Sequence, residues 1–293
     1  MKNTTQTSFI GIILAIALGT GLAIAGSQSS AAVSGIPIFA LMIGIAFAIQ
    51  WLVFIIAYVL KSEKFFDLTG SLTYITVMTS AILLSPSAEN RSLVLLVLVV
   101  MWATRLGTFL FNRVIQQGKD DRFDEIKVSL PRFLLTWTLQ GVWVSFTAAA
   151  ALAAITTEAK REFGWVAWVG VLIWVIGYMI ELVADAQKNR FKADPANQGK
   201  FIREGLWAWS RHPNYFGEIM IWIGVALIAL PVLNGWALIT LISPLWVILQ
   251  LTVISGIPML EKKADKQWGG QEAYESYKQN TPVLIPRPPS REP

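Results

Sequence analysis

The sequence predicts an all-α fold, a polytopic transmembrane helical bundle of seven or eight spans, and three observations carry that reading. Hydrophobic residues make up 54% of the 293-residue chain and charged residues only 15%, whereas soluble domains carry about a quarter charged. Several apolar runs approach the ~20 residues a helix needs to cross a bilayer. The cations are spread lopsidedly about those runs, as the positive-inside rule describes.

In chain order, the apolar segments fall at 8–26, 36–60, 68–84, 92–112, 133–155, 164–184, 215–231 and 235–255. The first, between MKNTTQT and GSQSSAAVSG, also has the outline of a signal peptide with a small-residue region behind its apolar stretch. Cleavage there would leave seven spans in the same orientation. Lys2, Lys61 and Lys64, the cations from Arg113 to Arg132, those from Lys188 to Arg211 and those from Lys262 to Arg291 share one side. Arg91, Lys160 and Arg161 lie on the other, and Arg105 sits within a span. This asymmetry assigns both termini to the cytoplasm. It also accounts for the net charge of +5 without invoking nucleic acid.

Cysteine is absent and histidine occurs once. Disulfides, zinc–thiolate sites, iron–sulfur clusters, a cysteine nucleophile and a multi-histidine metal centre are thereby excluded. The chemistry left is that of an organic cofactor or none, and no metal is expected.

Short loops SQSSAAVSGIP, SPSAENR and TTEAKREFG face outward, while the long polar stretches 113–132, 185–214 and 256–293 face the cytoplasm. Function is expected on that side, because binding residues concentrate on loops held by a scaffold. No internal repeat or linker divides the chain, so residues 1–293 read as one integral membrane domain. Within it, 1–60 form the N-terminal spans, 61–155 the substrate-side spans, 164–286 the cofactor half and 287–293 a flexible tail.

Ionisable groups near a membrane interior are expensive and mark candidate sites. Tyr178, Glu181 and Asp185 share a helix face by spacing, with Lys188, Asn189, Arg190 and Lys192 just beyond. Lysines there also suit snorkelling to headgroups, which does not explain the carboxylates. Arg105 fits either an ion pair with Asp67 or Glu181, or contact with a buried anionic ligand. Asp67, in SEKFFDLTG, fits a helix N-cap or a catalytic role. GKDDRFDEIK has the mixed charge of a solvated loop.

The densest constellation is WAWSRHPNYFGE at 207–218. Pro213 suits the first turn of a helix; Arg211 and His212 precede it, and Asn214, Tyr215 and Glu218 follow. Free backbone N–H groups at such an end attract anions. An aromatic belt with a structural histidine is the plainer reading, and it leaves so many polar groups around one helix start unexplained.

GLWAWSRHPNYFGEIMIWIG and the later KQWGGQEAYESYKQNTPVLIP resemble the C-terminal half of the membrane steroid 5α-reductase-like family, bacterial members of which are similar in length and pattern. The likeness runs over roughly 60–286, within a superfamily that also holds sterol reductases and isoprenylcysteine carboxyl methyltransferases. It implies a helical reductase of the bacterial inner membrane that holds NADPH at its cytoplasmic face and acts as a monomer. By that resemblance Asp185 and Lys192 lie toward the adenosine-phosphate part, and Arg203 joins Lys192 and Arg211 in a basic cluster. Arg211, His212, Asn214, Tyr215 and Glu218 lie where pyrophosphate, ribose and carboxamide are gripped. Gly205 matches a loop glycine, and Tyr274 and Tyr277 match the segment that closes over the nucleotide. The basic cluster suits the extra phosphate of NADPH.

The reaction implied is hydride transfer to the β-carbon of a conjugated enone, a 3-oxo-Δ4 steroid or isoprenoid-like lipid, with a donor polarising the ketone. Family members use a Gln-Glu pair and a tyrosine for this. Here the chain reads FFDLTG and MWATR, so Asp67 and Tyr74 are the catalytic candidates, with Trp102 where the family tyrosine would fall. Trp51, Phe54, Tyr74, Trp102, Arg105 and Trp143 are candidates to line a lipid-facing substrate cavity. Two other classes stay open: an integral methyltransferase using S-adenosylmethionine, in which the same arginine meets a carboxylate and the same glutamate a sulfonium, and a transporter or scaffold without catalysis.

Overall fold

A computed structural model describes residues 2–86, 89–117 and 123–289. Parts of the SPSAENR loop, the first half of GKDDRFDEIK and the end of the tail lie outside the described residues. Among the described residues, eight helical stretches are long and apolar enough to cross a membrane: Thr5–Gly26, Ile38–Val59, Phe66–Leu84, Asn90–Ile115, Leu130–Thr156, Trp165–Ala193, Pro213–Val232 and Gly235–Trp268. The helices are α1 (Lys2–Gly26), α2 (Ile38–Val59), α3 (Phe66–Leu84), α4 (Asn90–Gln117), α5 (Leu130–Thr156), α6 (Trp165–Ala193), α7 (Pro213–Ala229), α8 (Ile242–Leu249), α9 (Gly256–Trp268) and α10 (Glu272–Asn280). The chain forms an integral membrane helical bundle and divides into two compact units, 1–167 with 228–243, and 168–227 with 244–293.

In the first unit α5 is the central helix, packed by α1, α2, α3 and α4. Its run of small residues from Ala148 to Ala154 is wholly buried, which lets neighbouring backbones approach as in other membrane helix pairs. Glycines do the same on α1: a Cβ on Gly19 would stand 2.7 Å from the Phe47 ring, and one on Gly11 3.0 Å from Leu135. Hydrogen bonds then tie the helices inside their apolar packing. Gln50 donates to Thr73 Oγ1 at 2.8 Å, Trp51 to Thr138 Oγ1 at 3.1 Å and Gln140 to the Phe66 carbonyl at 2.9 Å. Such groups must find partners within the protein, since lipid offers none.

Between α1 and α2 the chain makes a two-residue hairpin, β1 (Ala32–Val33) against β2 (Ile36–Pro37). Ser34 and Gly35 turn it with φ of 51° and 80°, the tight turn that left-handed backbone permits.

Arg91, an outward-facing cation by sequence, is buried to 2% exposure. Its guanidinium donates to the carbonyls of Ile228 and Glu162, the latter at 2.8 Å, and lies over the Phe163 ring. One side chain thus pins the loop after α5 and the last turn of α7.

In the second unit α6 and α7 meet through glycines spaced seven apart on each. A Cβ on Gly177 would stand 2.6 Å from the Gly217 carbonyl, one on Gly217 2.6 Å from the Gly177 carbonyl, and one on Gly224 2.6 Å from that of Gly170. The backbones touch, so only glycine fits.

Three boundaries differ from the sequence expectation. The sixth span is expected to end near 184, yet α6 runs to Ala193, because QKNRFK favours helix and nothing breaks it before Pro195. The stretch after 256 contains α9 and α10 rather than loop alone. The eighth span is not one regular helix: 3-10 turns over Gly235–Leu241, α8 and a π-helical segment at Gln250–Ile254 succeed one another.

Candidate functional site

The predicted helix start is where the second unit concentrates its polar groups. Pro213 is the first residue of α7, its missing N–H costing nothing at that position. The chain just before it is pinned from the C-terminal segment. The Arg211 N–H donates to the Pro282 carbonyl at 2.9 Å, the Arg287 N–H to the Trp209 carbonyl at 2.9 Å, and the Ser210 hydroxyl to the Leu284 carbonyl at 2.9 Å. This strap holds 209–211 by backbone pairing, independent of side-chain identity along most of its length.

Upstream, Gly205 adopts φ +59°, and a Cβ there would fall 2.5 Å from Gln187 Nε2. Glycine is required on both counts. Gln187 uses the space to accept from the Leu206 N–H at 2.9 Å. Trp207 is buried, donates to the Ala184 carbonyl at 3.0 Å and lies beneath the Lys188 ammonium at 4.4 Å, a cation–π contact.

A carboxylate that sequence reasoning missed sits at the centre. Glu261, on α9, accepts from Arg211 at 2.6 Å and lies 2.8 Å from His212 Nε2. His212 is 5% exposed and stacks on Tyr215, ring centroids 5.6 Å apart. Arg211 Nε and His212 Nδ1 are buried and have no hydrogen-bond partner. The available signal was a lone acid between an apolar run and Lys262–Lys263, at the start of the polar stretch 256–293.

Asn214 reaches Asp185 Oδ1 at 3.3 Å, so these two predicted residues come together across α7 and α6. Glu181 and Glu218 are both buried, at 4% and 8% exposure, on the same helices. Tyr277 donates to the Trp207 carbonyl at 2.7 Å, and Tyr274 to Asp265 at 3.0 Å. Burial pushes both phenols upward, and for Tyr274 the hydrogen bond to Asp265 adds to it, so both are neutral donors at physiological pH. Both rings pack on Phe201, which staples the 194–209 loop to α10. Lys192 and Arg203 are exposed.

These groups suit a phosphate-bearing nucleotide. Lys188, Lys192 and Arg203 supply cations, the start of α7 supplies the positive end of a helix dipole, and two buried nitrogens lack partners.

In the first unit the other candidates line the contact of α3 with α4. Asp67 is not the N-cap of α3. Phe65 occupies that position without a side-chain cap, and Asp67 sits in the first turn, 3.6 Å from Arg113. Arg113 lies on the last turns of α4. Two turns further along α3, the Tyr74 ring meets Trp102 edge-on at 5.2 Å, both nearly fully buried. Between these pairs a Cβ on Gly107 would strike Ser71 at 2.6 Å, so the helices are closest there. Arg105 is half-buried. Phe54 is buried within a cluster with Phe133 and Trp137, whereas Trp51 keeps an exposed edge at 37%.

Residues 53–281 match a family described as a protein of unknown function (DUF1295). Over 183 residues the sequence is 24% identical to 3-oxo-5-alpha-steroid 4-dehydrogenase 1 of Rattus norvegicus, 61% of each chain. Over 93 residues it is 36% identical to steroid 5-alpha-reductase DET2 of Gossypium hirsutum, 32% of this chain and 34% of that one. An uncharacterized protein of Schizosaccharomyces pombe is 25% identical over 164 residues, 46% of this chain and 47% of that one. The chain therefore spans less than two thirds of the length of each of these relatives. No solved structure matches.

Proposed function

Because the chain belongs to the DUF1295 family, we propose that it is a membrane-embedded, NADPH-dependent reductase of the C=C bond in a conjugated enone lipid, of the 3-oxo-Δ4 steroid class. The observation that carries this reading is the convergence of Arg211, His212 and Glu261 at the start of α7, with two buried nitrogens still lacking partners. It falls in a chain whose relatives include steroid 5-alpha-reductases of two organisms. The active site faces the cytoplasm of a bacterial inner membrane, on the side where the cations gather.

NADPH, when bound, supplies a hydride. The protein's part is to hold and to polarise. In the second unit, Lys188, Lys192 and Arg203 balance phosphate charge, the positive end of the α7 dipole favours anionic oxygens, and Asn214 with Asp185 reads hydroxyl or amide groups. Tyr277 holds the 194–209 loop by its hydrogen bond to the Trp207 carbonyl, and Tyr274, tied to Asp265, packs on Phe201 of the same loop.

In the first unit, Tyr74 is the donor we assign to the substrate ketone, its phenol buried beside Trp102. Polarising that oxygen stabilises the charge that develops on it as the β-carbon accepts hydride. Asp67, paired with Arg113, orients the α3–α4 face rather than donating. Trp51, Phe54, Trp102 and Arg105 complete the substrate side.

The test is NADPH oxidation by purified, detergent-solubilised protein with and without progesterone, the product identified by mass. Steroid-dependent oxidation and a gain of two hydrogens are expected. NADPH binding without turnover would keep the reductase and discard the steroid. Absence of both, with binding of S-adenosylmethionine, would replace the reading by a methyltransferase.

A further inference from the structure

The geometry points to Glu261 as a positioning residue for the nucleotide: its carboxylate locks Arg211 and His212 in one orientation, so that the nitrogens it leaves over, Arg211 Nε and His212 Nδ1, meet phosphate and ribose oxygens. The inference rests on the NADPH reading above and assigns work within that site to a residue outside the motif.

Both carboxylate oxygens are committed, Oε2 to Arg211 at 2.6 Å and Oε1 to His212 Nε2 at 2.8 Å. The two partners are adjacent in sequence and already fixed at the backbone. The Arg211 N–H is held by the Pro282 carbonyl, and the His212 N–H donates to Ser210 Oγ at 3.1 Å. With Tyr215 stacked on the imidazole, Glu261 removes the remaining freedom of both side chains. With Nε2 engaged by Glu261, Nδ1 is the nitrogen left over, suited to a ribose hydroxyl, which can donate or accept. Arg211 Nε is a donor only and suits a phosphate oxygen. Buried polar atoms without partners are rare and call for a ligand or water.

Charge makes the assignment discriminating. Glu261 cancels the positive charge of Arg211, so if the pair acted on phosphate through charge alone, the carboxylate would weaken binding. Its value to an anionic ligand lies in orientation.

Glu261→Gln separates the two. It keeps the size, removes the negative charge and supplies one acceptor where there were two. Positioning expects the Kd for NADPH to rise about tenfold, the scale of one charge-assisted hydrogen bond, with KM for NADPH rising in step and kcat nearly unchanged. Glu261→Asp, which keeps both acceptors on a shorter stem, should recover part of the loss. Unchanged or tighter binding in Glu261→Gln would overturn the assignment.

His212 is the only histidine in the chain, so 15N-histidine labelling of the wild type gives a single-site signature that does not depend on a variant folding. The Nδ1 resonance should move on adding NADPH while Nε2 stays hydrogen-bonded. A resonance that ignores bound NADPH would sink the idea. Wild-type protein that binds no NADPH at all would remove the reductase reading, and this assignment with it.

Discussion

The two regions that gather polar groups among apolar helices do so by different means. On the α3–α4 face, contacts are made pair by pair across two helices: Asp67 with Arg113, Ser71 against Gly107, Tyr74 against Trp102. At the start of α7, one carboxylate serves two neighbours and a backbone strap from 282–287 holds the segment. The first arrangement fixes shape and leaves each pair separable. The second is a shared node in which no member can change alone. Changes in the first should therefore alter turnover without touching nucleotide affinity, and changes in the second the reverse.

The change expected to have the largest effect breaks the frame of the second region. In Gly217→Leu a side chain is driven into the Gly177 carbonyl, 2.6 Å from where its Cβ would stand. Since that neighbour is backbone and cannot turn away, at least about 3 kcal/mol of stability should be lost. Thermal unfolding in detergent should fall sharply, and NADPH binding should disappear. A variant that melts like wild type would show that α6 and α7 are not so close.

Tyr74→Phe sharpens the contrast from the other side. The phenyl ring keeps the edge-on contact with Trp102 and removes only the hydroxyl. Loss of one oxyanion donor typically costs about 100-fold in turnover, and that is the fall expected in kcat, with the Kd for NADPH unchanged. A parallel rise in Kd would erase the proposed division of labour.

Most of the fold was legible because membrane helices announce themselves by length and apolarity. The eight segments and Pro213 as a helix start follow from pattern and spacing, whereas Asp185 and Asn214 entered as site candidates through the family resemblance, and their contact is a finding of the fold. What stayed hidden depends on distant chain. Glu261 lies 49 residues from His212, in a long polar stretch with no spacing that links it to the motif, and only folding brings the two together. Arg91 illustrates the same limit: counted as a surface cation by position, it is buried against backbone carbonyls that no side-chain pattern reveals. Asp67 suited a cap by residue type, but the helix begins one residue earlier, at Phe66.

A smaller effect is expected from Lys127→Met in the first unit. Lys127 donates to Glu63 at 2.7 Å, and Glu63 is buried to 3% while Lys127 keeps 20% exposure. Removing the cation takes the Lys127 ion pair away from a buried carboxylate, and breaking a fully enclosed pair costs about 3–5 kcal/mol. Partial solvent access reduces this to about 2 kcal/mol. The hydrogen bond to Glu63 holds the Lys127 ammonium above its ordinary range. Its contribution is therefore complete below the usual lysine pKa and is lost only as pH rises through the raised value. The melting difference between wild type and variant should stay constant over roughly pH 6 to 9 and shrink above that.

The smallest effect comes from a contact as short as the central one. Lys278 and Asp265 stand 2.6 Å apart, the same separation as Arg211 and Glu261. The exposures differ: 27% and 47% against 12% and 22%. Water screens the exposed pair, and holding two mobile side chains together costs entropy, so distance alone says little about strength. Asp265 also retains the Tyr274 hydroxyl as a partner when the lysine is gone. Lys278→Met should leave both the melting temperature and the Kd for NADPH unchanged, in 50 mM and in 500 mM salt alike. A clear loss of affinity would extend the shared node from Glu261 to α10 and make the C-terminal helix part of the grip rather than its cover.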